Sequence, residues 1–207
     1  MDRSAIILVG FTPNRFGEDK GLLKLNKKPL FNHVVDSVKG IVEEIIIVTN
    51  SQQRADIYAK VVSTNAKFAV DNDESKGPLG GALTGFKAAQ GKYSLLLPFD
   101  APFICREIIS LLFDLCIGKM AVVPRWTNCE IEPLHAVYQT EGGLEAAKKA
   151  LANNELELAD MVGKMRGVRY ISTLVIEQLD PELRTFFNVN APLDLKKALT
   201  MMKQRKK

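Results

Sequence analysis

A glycine-bracketed loop with two basic residues follows the first apolar run of this sequence. The run Ser4–Val9 ends at Gly10, and the loop after it carries Arg15, Gly17 and Lys20. Glycines allow backbone N–H groups to approach a ligand closely, and Arg and Lys side chains supply fixed positive charge. Because α/β proteins often hold phosphate groups in this way, the segment predicts a phosphate-binding loop.

The ends of four apolar, strand-like runs carry residues that could line the same site. These residues are Gly10, Asn50, Asp71 and Asp100. In open α/β sheets, ligands bind at the carboxyl ends of the strands. A single polar residue at a strand end is usually a helix cap, but four at successive ends are hard to explain in that way. Together they predict a crevice with an amide, two carboxylates and the cationic loop.

Short β-rich runs alternate with longer helical patterns along the whole chain. Strands are predicted at 6–9, 45–48, 67–70, 93–97, 121–123, 134–138 and 168–171. The run 134–138 could pair antiparallel with 121–123, since only a loop separates them. Asn190 is predicted to cap the last helix. Strands that alternate with helices of about 10–15 residues favour a three-layer α/β/α, Rossmann-like sandwich with a mostly parallel central sheet.

The composition is that of an ordinary globular domain. The chain has 207 residues, of which 46% are hydrophobic and 25% charged, so we expect one domain over residues 1–207. The net charge of +4 comes partly from the basic segment 203–207, which we expect to be a frayed tail. No pattern of basic and aromatic residues accompanies that tail, so nucleic acid is not expected as a partner.

Cysteine, histidine and apolar patterning exclude further classes. Three cysteines without CxxC spacing and two histidines do not favour a zinc site. No apolar stretch approaches the roughly 20 residues that a membrane span needs, and the first residues lack the cleavage region of a signal peptide. We therefore expect a cytoplasmic protein without a membrane partner.

Familiar nucleotide-binding and hydrolytic motifs are missing from the sequence. Gly91-Lys92 is followed by Tyr93 rather than by Ser or Thr, so no GxxxxGK[ST] motif is present. No GxGxxG follows the first predicted strand, and no Ser/His/Asp arrangement has a recognisable context. A P-loop NTPase, an ordinary dinucleotide dehydrogenase and a serine hydrolase are therefore not favoured.

Five blocks resemble, in order, the nucleotidyltransferases related to molybdenum cofactor guanylyltransferase. The block LVGFTPNRFGEDK, which begins at Leu8, is similar to the family pattern L-A-G-G-x-S-x-R-M-G-x-D-K. The other blocks are GPLGG at 77–81, PFDAPF at 98–103, EPLHAVY at 132–138 and NVNAPLD at 188–194. The resemblance spans nearly the whole chain and implies the nucleotidyltransferase fold.

The resemblance also implies a reaction and its participants. GMP would pass from GTP to molybdopterin or the molybdenum cofactor, with Mg²⁺ as cofactor and pyrophosphate as the second product. The acceptor phosphate is already anionic, so alignment and neutralisation of phosphate charge would suffice for catalysis. Transient contact with cofactor-synthesis or acceptor proteins is a further implication.

The resemblance also implies roles for individual residues, in three groups. The catalytic residues would be Arg15, Lys20 and Asp100, of which Arg15 and Lys20 would hold the triphosphate and Asp100 would coordinate Mg²⁺. The other nucleotide contacts would come from Leu8, Val9, Gly10, Asn50, Asp71, Gly77, Pro78 and Leu79. Asn188 and Asn190 would lie near the pterin acceptor.

Several residues have structural explanations that compete with these roles. Asp19 could serve only to orient the loop through local hydrogen bonds, and the 77–81 block could be a helix start packed tightly on the sheet. His135 is expected to be structural. Trp126 is expected to anchor a loop, although it could flank the acceptor. Glu132 lies beside the predicted cleft, and we assign it no role in proton transfer.

Two substitutions in the loop leave other functions open. Phe11 stands where the family pattern has its second glycine, and Pro13 stands where it has serine. Phe11 adds bulk, and Pro13 removes a hydroxyl and a backbone N–H donor. One alternative is therefore another small-molecule nucleotidyltransferase, acting on a cobinamide phosphate, a sugar phosphate, or the pterin with CTP. The other alternative is a non-catalytic protein that binds a nucleotide or the pterin.

Overall fold

The fold has a mixed β-sheet between two helical layers. The computed structural model describes residues 1–10, 16–17, 19–73 and 76–204, without the side chain of residue 204. Its strands are β1 (Arg3–Val9), β2 (Lys24–Leu25), β3 (Lys28–Pro29), β4 (Glu44–Thr49), β5 (Lys67–Val70), β6 (Tyr93–Pro98), β7 (Ala121–Arg125), β8 (Ala136–Gln139) and β9 (Val168–Ser172). Its helices are α1 (Leu30–Val38), α2 (Gln52–Val61), α3 (Gly77–Ala88), α4 (Arg106–Cys116), α5 (Thr140–Ala152), α6 (Leu158–Gly163), α7 (Thr173–Ile176) and α8 (Pro192–Gln204).

The central sheet confirms the predicted, mostly parallel α/β architecture. Seven strands lie in the order β5-β4-β1-β6-β8-β7-β9, and β2 pairs with β3 in a separate hairpin. β8 runs antiparallel to β6 and β7, while the other four pairings of the seven-stranded sheet are parallel. β6 and β7 therefore point the same way, and their carboxyl ends lie at one edge of the sheet with those of β1, β4 and β5.

The two faces of the sheet bury separate apolar clusters. Successive side chains of a strand point to opposite faces, so Ile7 and Val9 pack towards α1, α2 and α4, while Ile6 and Leu8 pack towards α3, α5 and α6. A smaller third cluster lies under α8 and includes Leu25 of the hairpin. Both faces are covered, which agrees with the continuous apolar runs 5–9 in β1 and 45–48 in β4.

Two predicted details are wrong for local reasons. The predicted strand 134–138 is a 3₁₀ turn over Pro133–His135 followed by β8, because the His135 N–H donates to the Glu132 carbonyl and not to a neighbouring strand. Asn190 does not cap the last helix, which begins at Pro192. Asp194 instead accepts the Asn190 and Ala191 N–H groups. The predicted antiparallel pairing of β7 with β8 is confirmed.

The described helices contain no segment that is both long enough and apolar enough to cross a membrane.

Candidate active site

The register of the sheet brings the four predicted strand-end residues into one row. The relevant pairs are Val9–Thr49, Thr49–Val70 and Leu8–Pro98. Continuing each strand past these pairs places Asp71, Asn50, Gly10 and Asp100 side by side at the carboxyl edge, in that order. The row therefore results from parallel pairing in register, and it forms the floor of the candidate site.

Lys20 and Asp100 form a buried ion pair at one end of this row. The Lys20 Nζ lies 2.5 Å from the Asp100 Oδ2, and each side chain is only 4% exposed. The same ammonium donates to the Asn190 Oδ1 at 3.2 Å and lies 5.0 Å from the centre of the Phe99 ring. Burial raises the pKa of Asp100, and the charge of Lys20 opposes that shift.

Backbone hydrogen bonds of the residues before and after Asn190 hold it next to the Lys20–Asp100 ion pair. The Val189 N–H donates to the Asp100 carbonyl at 3.0 Å, and Asp194 ties the following turn to α8. Three segments that are distant in sequence therefore meet at one ammonium group: the 3₁₀ turn Lys20–Leu22, the end of β6 and the start of α8.

Asp19 orients the turn that carries Lys20, as predicted, and it does so with tertiary partners as well as local ones. Its Oδ1 accepts the Gly21 N–H at 3.0 Å and the Tyr58 hydroxyl at 2.6 Å, and its Oδ2 accepts from the Arg54 Nε at 2.9 Å. A Cβ on Gly21 would lie 2.0 Å from the Tyr58 hydroxyl oxygen, so the bond from Tyr58 requires glycine there.

Arg54 also reaches the middle of the row. Its Nη1 donates to the Asn50 Oδ1 at 3.1 Å, and the Asn50 Nδ2 donates to the Gly10 carbonyl at 3.5 Å. Gly10 has a φ of +96°, and a Cβ there would lie 2.3 Å from the Arg54 Nη1. Sequence reasoning missed Arg54 and Tyr58. The four-residue spacing from Arg54 to Tyr58, which places both on one side of the predicted helix that follows Asn50, was the available signal.

Asp71 lies against the first turns of α3. Its Oδ1 accepts the Asp73 N–H at 3.3 Å, while its Oδ2 is buried without a hydrogen-bond partner in the described part of the chain. A Cβ on Gly80 would lie 2.6 Å from that Oδ2. Burial raises the pKa of Asp71. The 77–81 block is therefore a tightly packed helix start, and it also borders a carboxylate oxygen that can accept a further bond.

The apolar residues assigned to the nucleotide have almost no exposed side-chain surface. Leu8 and Leu79 pack in the cluster on the α3 side of the sheet, and Val9 packs in the opposite cluster. Any contact that Leu8 or Val9 makes with a ligand would therefore come from the backbone. Pro78 occupies the first turn of α3 beside Gly77, which has a φ of +53°.

Two further features lie near this edge, a buried asparagine and an aromatic pair. The Asn188 Oδ1 is buried, and no hydrogen-bond partner for it occurs among the described residues. The rings of Trp126 and Phe186 lie 5.4 Å apart, and the Trp126 Nε1 donates to the Glu132 Oε1 at 2.7 Å. Trp126 directly follows β7, whose carboxyl end shares the edge with that of β6. Burial raises the pKa of Glu132.

His135 is a buried residue, as expected for a structural histidine. It is 3% exposed, and its ring makes an edge contact with Phe186 at 5.2 Å between centroids. Burial lowers the pKa of His135 to about 4, so the ring is neutral near pH 7.

Arg15, Phe11 and Pro13 lie outside the described residues. In the described ranges, no group of three or more His, Cys, Asp or Glu side chains could hold a metal ion.

Known proteins are similar to this chain in sequence and in fold. A family model described as the MobA-like NTP transferase domain matches residues 5–163. A relative from Methanosarcina mazei, named probable molybdenum cofactor guanylyltransferase, is 32% identical over 208 residues, covering 98% of this chain and 92% of its own length. A relative of the same name from Pyrococcus horikoshii is also 32% identical, over 92% of this chain and 96% of its own length.

A solved structure described as molybdopterin-guanine dinucleotide biosynthesis protein A, from Archaeoglobus fulgidus, superposes with a TM-score of 0.81. It is 22% identical, and the match covers 97% of this chain and 99% of that one. At this identity the superposition supports the fold alone. The match to the family model extends over more than half of the sequence, and the chain belongs to the MobA-like NTP transferase family.

Proposed function

We propose that this chain transfers GMP from GTP to molybdopterin or the molybdenum cofactor, giving a guanine dinucleotide cofactor and pyrophosphate. The observation that carries the proposal is the buried Lys20–Asp100 pair, bridged to Asn190, at the end of the row of strand ends. The names of the relatives from Methanosarcina and Pyrococcus favour this acceptor and this base among the reactions open to the family.

The layout of the edge suits a reaction that joins two substrates. Asp71, Asn50 and Gly10 lie on the β5-β4-β1 side of Asp100, while Trp126 follows β7 on the other side. Asn188 is two residues from Asn190, which contacts Lys20. We assign the first side to the nucleotide and the second side to the acceptor, with Lys20 and Asp100 between them.

The chemistry requires no protein nucleophile. An oxygen of the acceptor phosphate attacks the α-phosphorus of GTP, a new P–O bond forms, and the bond between the α-phosphorus and the bridging oxygen breaks as pyrophosphate leaves. The attacking oxygen is already anionic, so the protein's task is to align two phosphates and to offset their repulsion.

Lys20 is the residue placed to offset that charge. An ammonium group has three N–H donors, and the bonds to Asp100 and Asn190 use two of them. The third can donate to a phosphate oxygen without loss of the other two. Asp100 and Asn190 therefore fix the position of the Lys20 ammonium group. We assign Arg15 to the same triphosphate.

Asp71 is suited to guanosine because it offers an acceptor. Its Oδ2 is buried and unpaired within the described residues, and guanosine presents N–H donors on the base and O–H donors on the ribose. A bond from either kind of donor would satisfy an atom whose burial otherwise carries a free-energy penalty.

The residues fit a magnesium ion that is held largely by the substrate. Mg²⁺ commonly takes one or two protein carboxylates and completes its octahedron with phosphate oxygens and water. We assign Asp100, at the carboxyl edge of the sheet, as one such carboxylate. When bound, the ion would neutralise phosphate charge. We further propose that the protein acts in the cytoplasm and contacts cofactor-synthesis or acceptor proteins transiently.

The test is transfer of radiolabel from [α-³²P]GTP to molybdopterin in the presence of Mg²⁺, with CTP and ATP as competitors. We expect labelled dinucleotide from GTP, its loss in Lys20→Ala, and its retention in Lys24→Ala, which removes an exposed lysine nearby. Preferential transfer from CTP, or to a cobinamide or sugar phosphate, would replace the guanylyl assignment. Nucleotide binding without any pyrophosphate release would indicate a binding protein.

A further inference from the structure

Arg54 connects the two parts of the candidate nucleotide site that flank Gly10. It lies in the first turn of α2, where the Ser51 side chain accepts the Arg54 N–H at 3.4 Å. Its Nε donates to Asp19 at 2.9 Å and its Nη1 donates to Asn50 at 3.1 Å. A guanidinium group can hold two acceptors at once because its donors lie in a rigid plane.

The contact with Arg54 determines the orientation of the Asn50 side-chain amide. Arginine has only donors, so it selects the amide oxygen of Asn50. The amide nitrogen is consequently directed to the other side, where it donates to the Gly10 carbonyl. That bond has a length of 3.5 Å, at the outer limit for hydrogen bonds, so a ligand acceptor at a shorter distance would compete with the Gly10 carbonyl for this donor.

The contact with Asp19 links the same guanidinium to Lys20. Asp19 is the residue before Lys20, and its carboxylate bonds to the first turn of the Lys20 segment through Gly21. The partly buried ion pair with Arg54 and the bond from the fully buried Tyr58 fix that carboxylate from α2. A displacement of Arg54 would therefore disturb both Asn50 and the turn that presents Lys20.

We propose that Arg54 is a positioning residue for the nucleotide: it fixes the side chain of Asn50 so that the amide N–H₂ group of Asn50 donates to the nucleotide. The inference rests on the proposed nucleotide site and deepens it. Arg54 acts through Asn50 and Asp19 and makes no bond to the reacting atoms. Gly10 has a φ of +96°, which favours glycine, and a Cβ there would lie 2.3 Å from the Arg54 Nη1 and displace the guanidinium.

A double-mutant cycle on GTP affinity tests the proposal, with GTP and Mg²⁺ titrated calorimetrically into the full chain. Arg54→Ala and Asn50→Ala should each weaken binding by about tenfold to a hundredfold. The loss in the double variant should be clearly smaller than the sum of the two single losses in binding free energy, because part of the effect of Arg54 passes through Asn50 and the rest through Asp19. The matched control is Gln53→Ala, which truncates an exposed neighbour on the same turn and should bind like the unaltered chain.

Two conservative variants separate positioning from a structural role. Asn50→Asp keeps an acceptor for Arg54 and replaces the N–H₂ donor by oxygen, so we expect an unchanged or higher melting temperature together with weak GTP binding. Arg54→Lys keeps the charge without the planar pair of donors, so it should raise KM for GTP and change kcat by less than about threefold.

The outcomes distinguish this inference from the proposed function. Additive effects of Arg54→Ala and Asn50→Ala, full affinity in Arg54→Lys, or a lowered melting temperature with unaltered GTP affinity would each overturn the role of Arg54 and leave the guanylyl reaction standing. GTP binding that follows the expected cycle without any transfer would overturn the reaction and leave the role of Arg54 standing. If CTP binds in place of GTP, the same cycle is measured with CTP. No binding of GTP, CTP or ATP would overturn both.

Discussion

The Lys20 Nζ and the Asp100 Oδ2 lie 2.5 Å apart although the two residues are separated by 80 positions in the chain. Both side chains are almost completely buried. A buried charge without its partner is strongly destabilising, whereas a buried pair replaced as a unit can be tolerated. This pair therefore couples the stability of the protein to the chemistry that we assign to Lys20.

The first prediction uses that coupling. Lys20→Met should abolish GMP transfer and lower the free energy of unfolding by about 3–5 kcal/mol, because it leaves Asp100 buried without a counter-ion. Burial already raises the pKa of Asp100, and the loss of Lys20 raises it further. The native state then favours the protonated carboxyl. The loss in the free energy of unfolding should therefore grow as the pH rises above the pKa that Asp100 has in the unfolded chain. Urea titrations at pH 5 and pH 8 measure it.

The double variant Lys20→Met/Asp100→Asn supplies the control. It removes the unpaired charge as well, so we expect most of the stability to return and its dependence on pH to flatten, while transfer remains abolished. Recovery of transfer in the double variant would show that neither charge is needed for the reaction, in conflict with the role assigned to Lys20.

The second prediction concerns the contact between Gly80 and Asp71. Gly80→Ala would place a methyl group 2.6 Å from both the Asp71 Oδ2 and the Lys76 Cβ, so α3 or the carboxylate must shift. We expect the free energy of unfolding to fall by about 1–3 kcal/mol and KM for GTP to rise, because the Asp71 oxygen is displaced from the nucleotide. Chemical denaturation and steady-state kinetics measure the two effects.

Gly163→Ala is the matched control for that substitution. It lies at the end of α6, and nothing lies within 4 Å of a Cβ built there. A glycine with space around it and an ordinary φ gains about 0.4–1 kcal/mol on change to alanine, so this variant should be slightly more stable, with KM unchanged. An equal rise in KM for both variants would argue against a specific effect at Asp71.

The sequence predicts the row of strand-end residues because it depends on local patterns and a general rule. Apolar runs mark the strands, parallel pairing brings their carboxyl ends to one edge, and ligands bind at that edge. Gly10, Asn50, Asp71 and Asp100 therefore meet as expected. Position at an edge is settled by topology, so it can be inferred without knowledge of side-chain contacts.

The contacts made by Asn190 and Arg54 could not be inferred in the same way. A polar residue just before a helical pattern favours capping, but the Asn190 side chain binds Lys20, which is 170 positions away. Arg54 has an ordinary place on an exposed-looking helix, and its acceptor Asp19 lies 35 positions away in the chain. Such pairings depend on the tertiary structure, and local sequence propensities carry no information about contacts between distant segments.

The third prediction concerns pH and His135. Burial lowers the pKa of His135 from 6.5 to about 4, so between these values the unfolded chain binds a proton that the native chain does not. The free energy of unfolding should therefore fall as the pH decreases from about 6.5 to about 4, by roughly 3 kcal/mol from this residue alone. Denaturant titrations at several pH values measure the slope.

His135→Gln removes the titrating ring and serves as the comparison. The raised pKa values of Asp71 and Asp100 act in the opposite direction, but they are common to both proteins and cancel in the difference. We expect a shallower loss of stability on the acidic side in the variant, whatever its stability at pH 8. Identical slopes in the two proteins would mean that His135 is protonated at nearly the same pH in the folded and unfolded states.

The fourth prediction separates binding from stability at Asn188. Its Oδ1 is buried without a hydrogen-bond partner among the described residues, and such an atom contributes a penalty to the free protein. Asn188→Ala should therefore leave the free energy of unfolding nearly unchanged while KM for the molybdopterin acceptor rises about tenfold or more. GTP affinity, measured by calorimetry, should stay the same, because we assign Asn188 to the acceptor and not to the nucleotide. A large loss of stability with unaltered acceptor KM would instead make Asn188 a structural residue, and the acceptor would then have to be placed elsewhere along the edge.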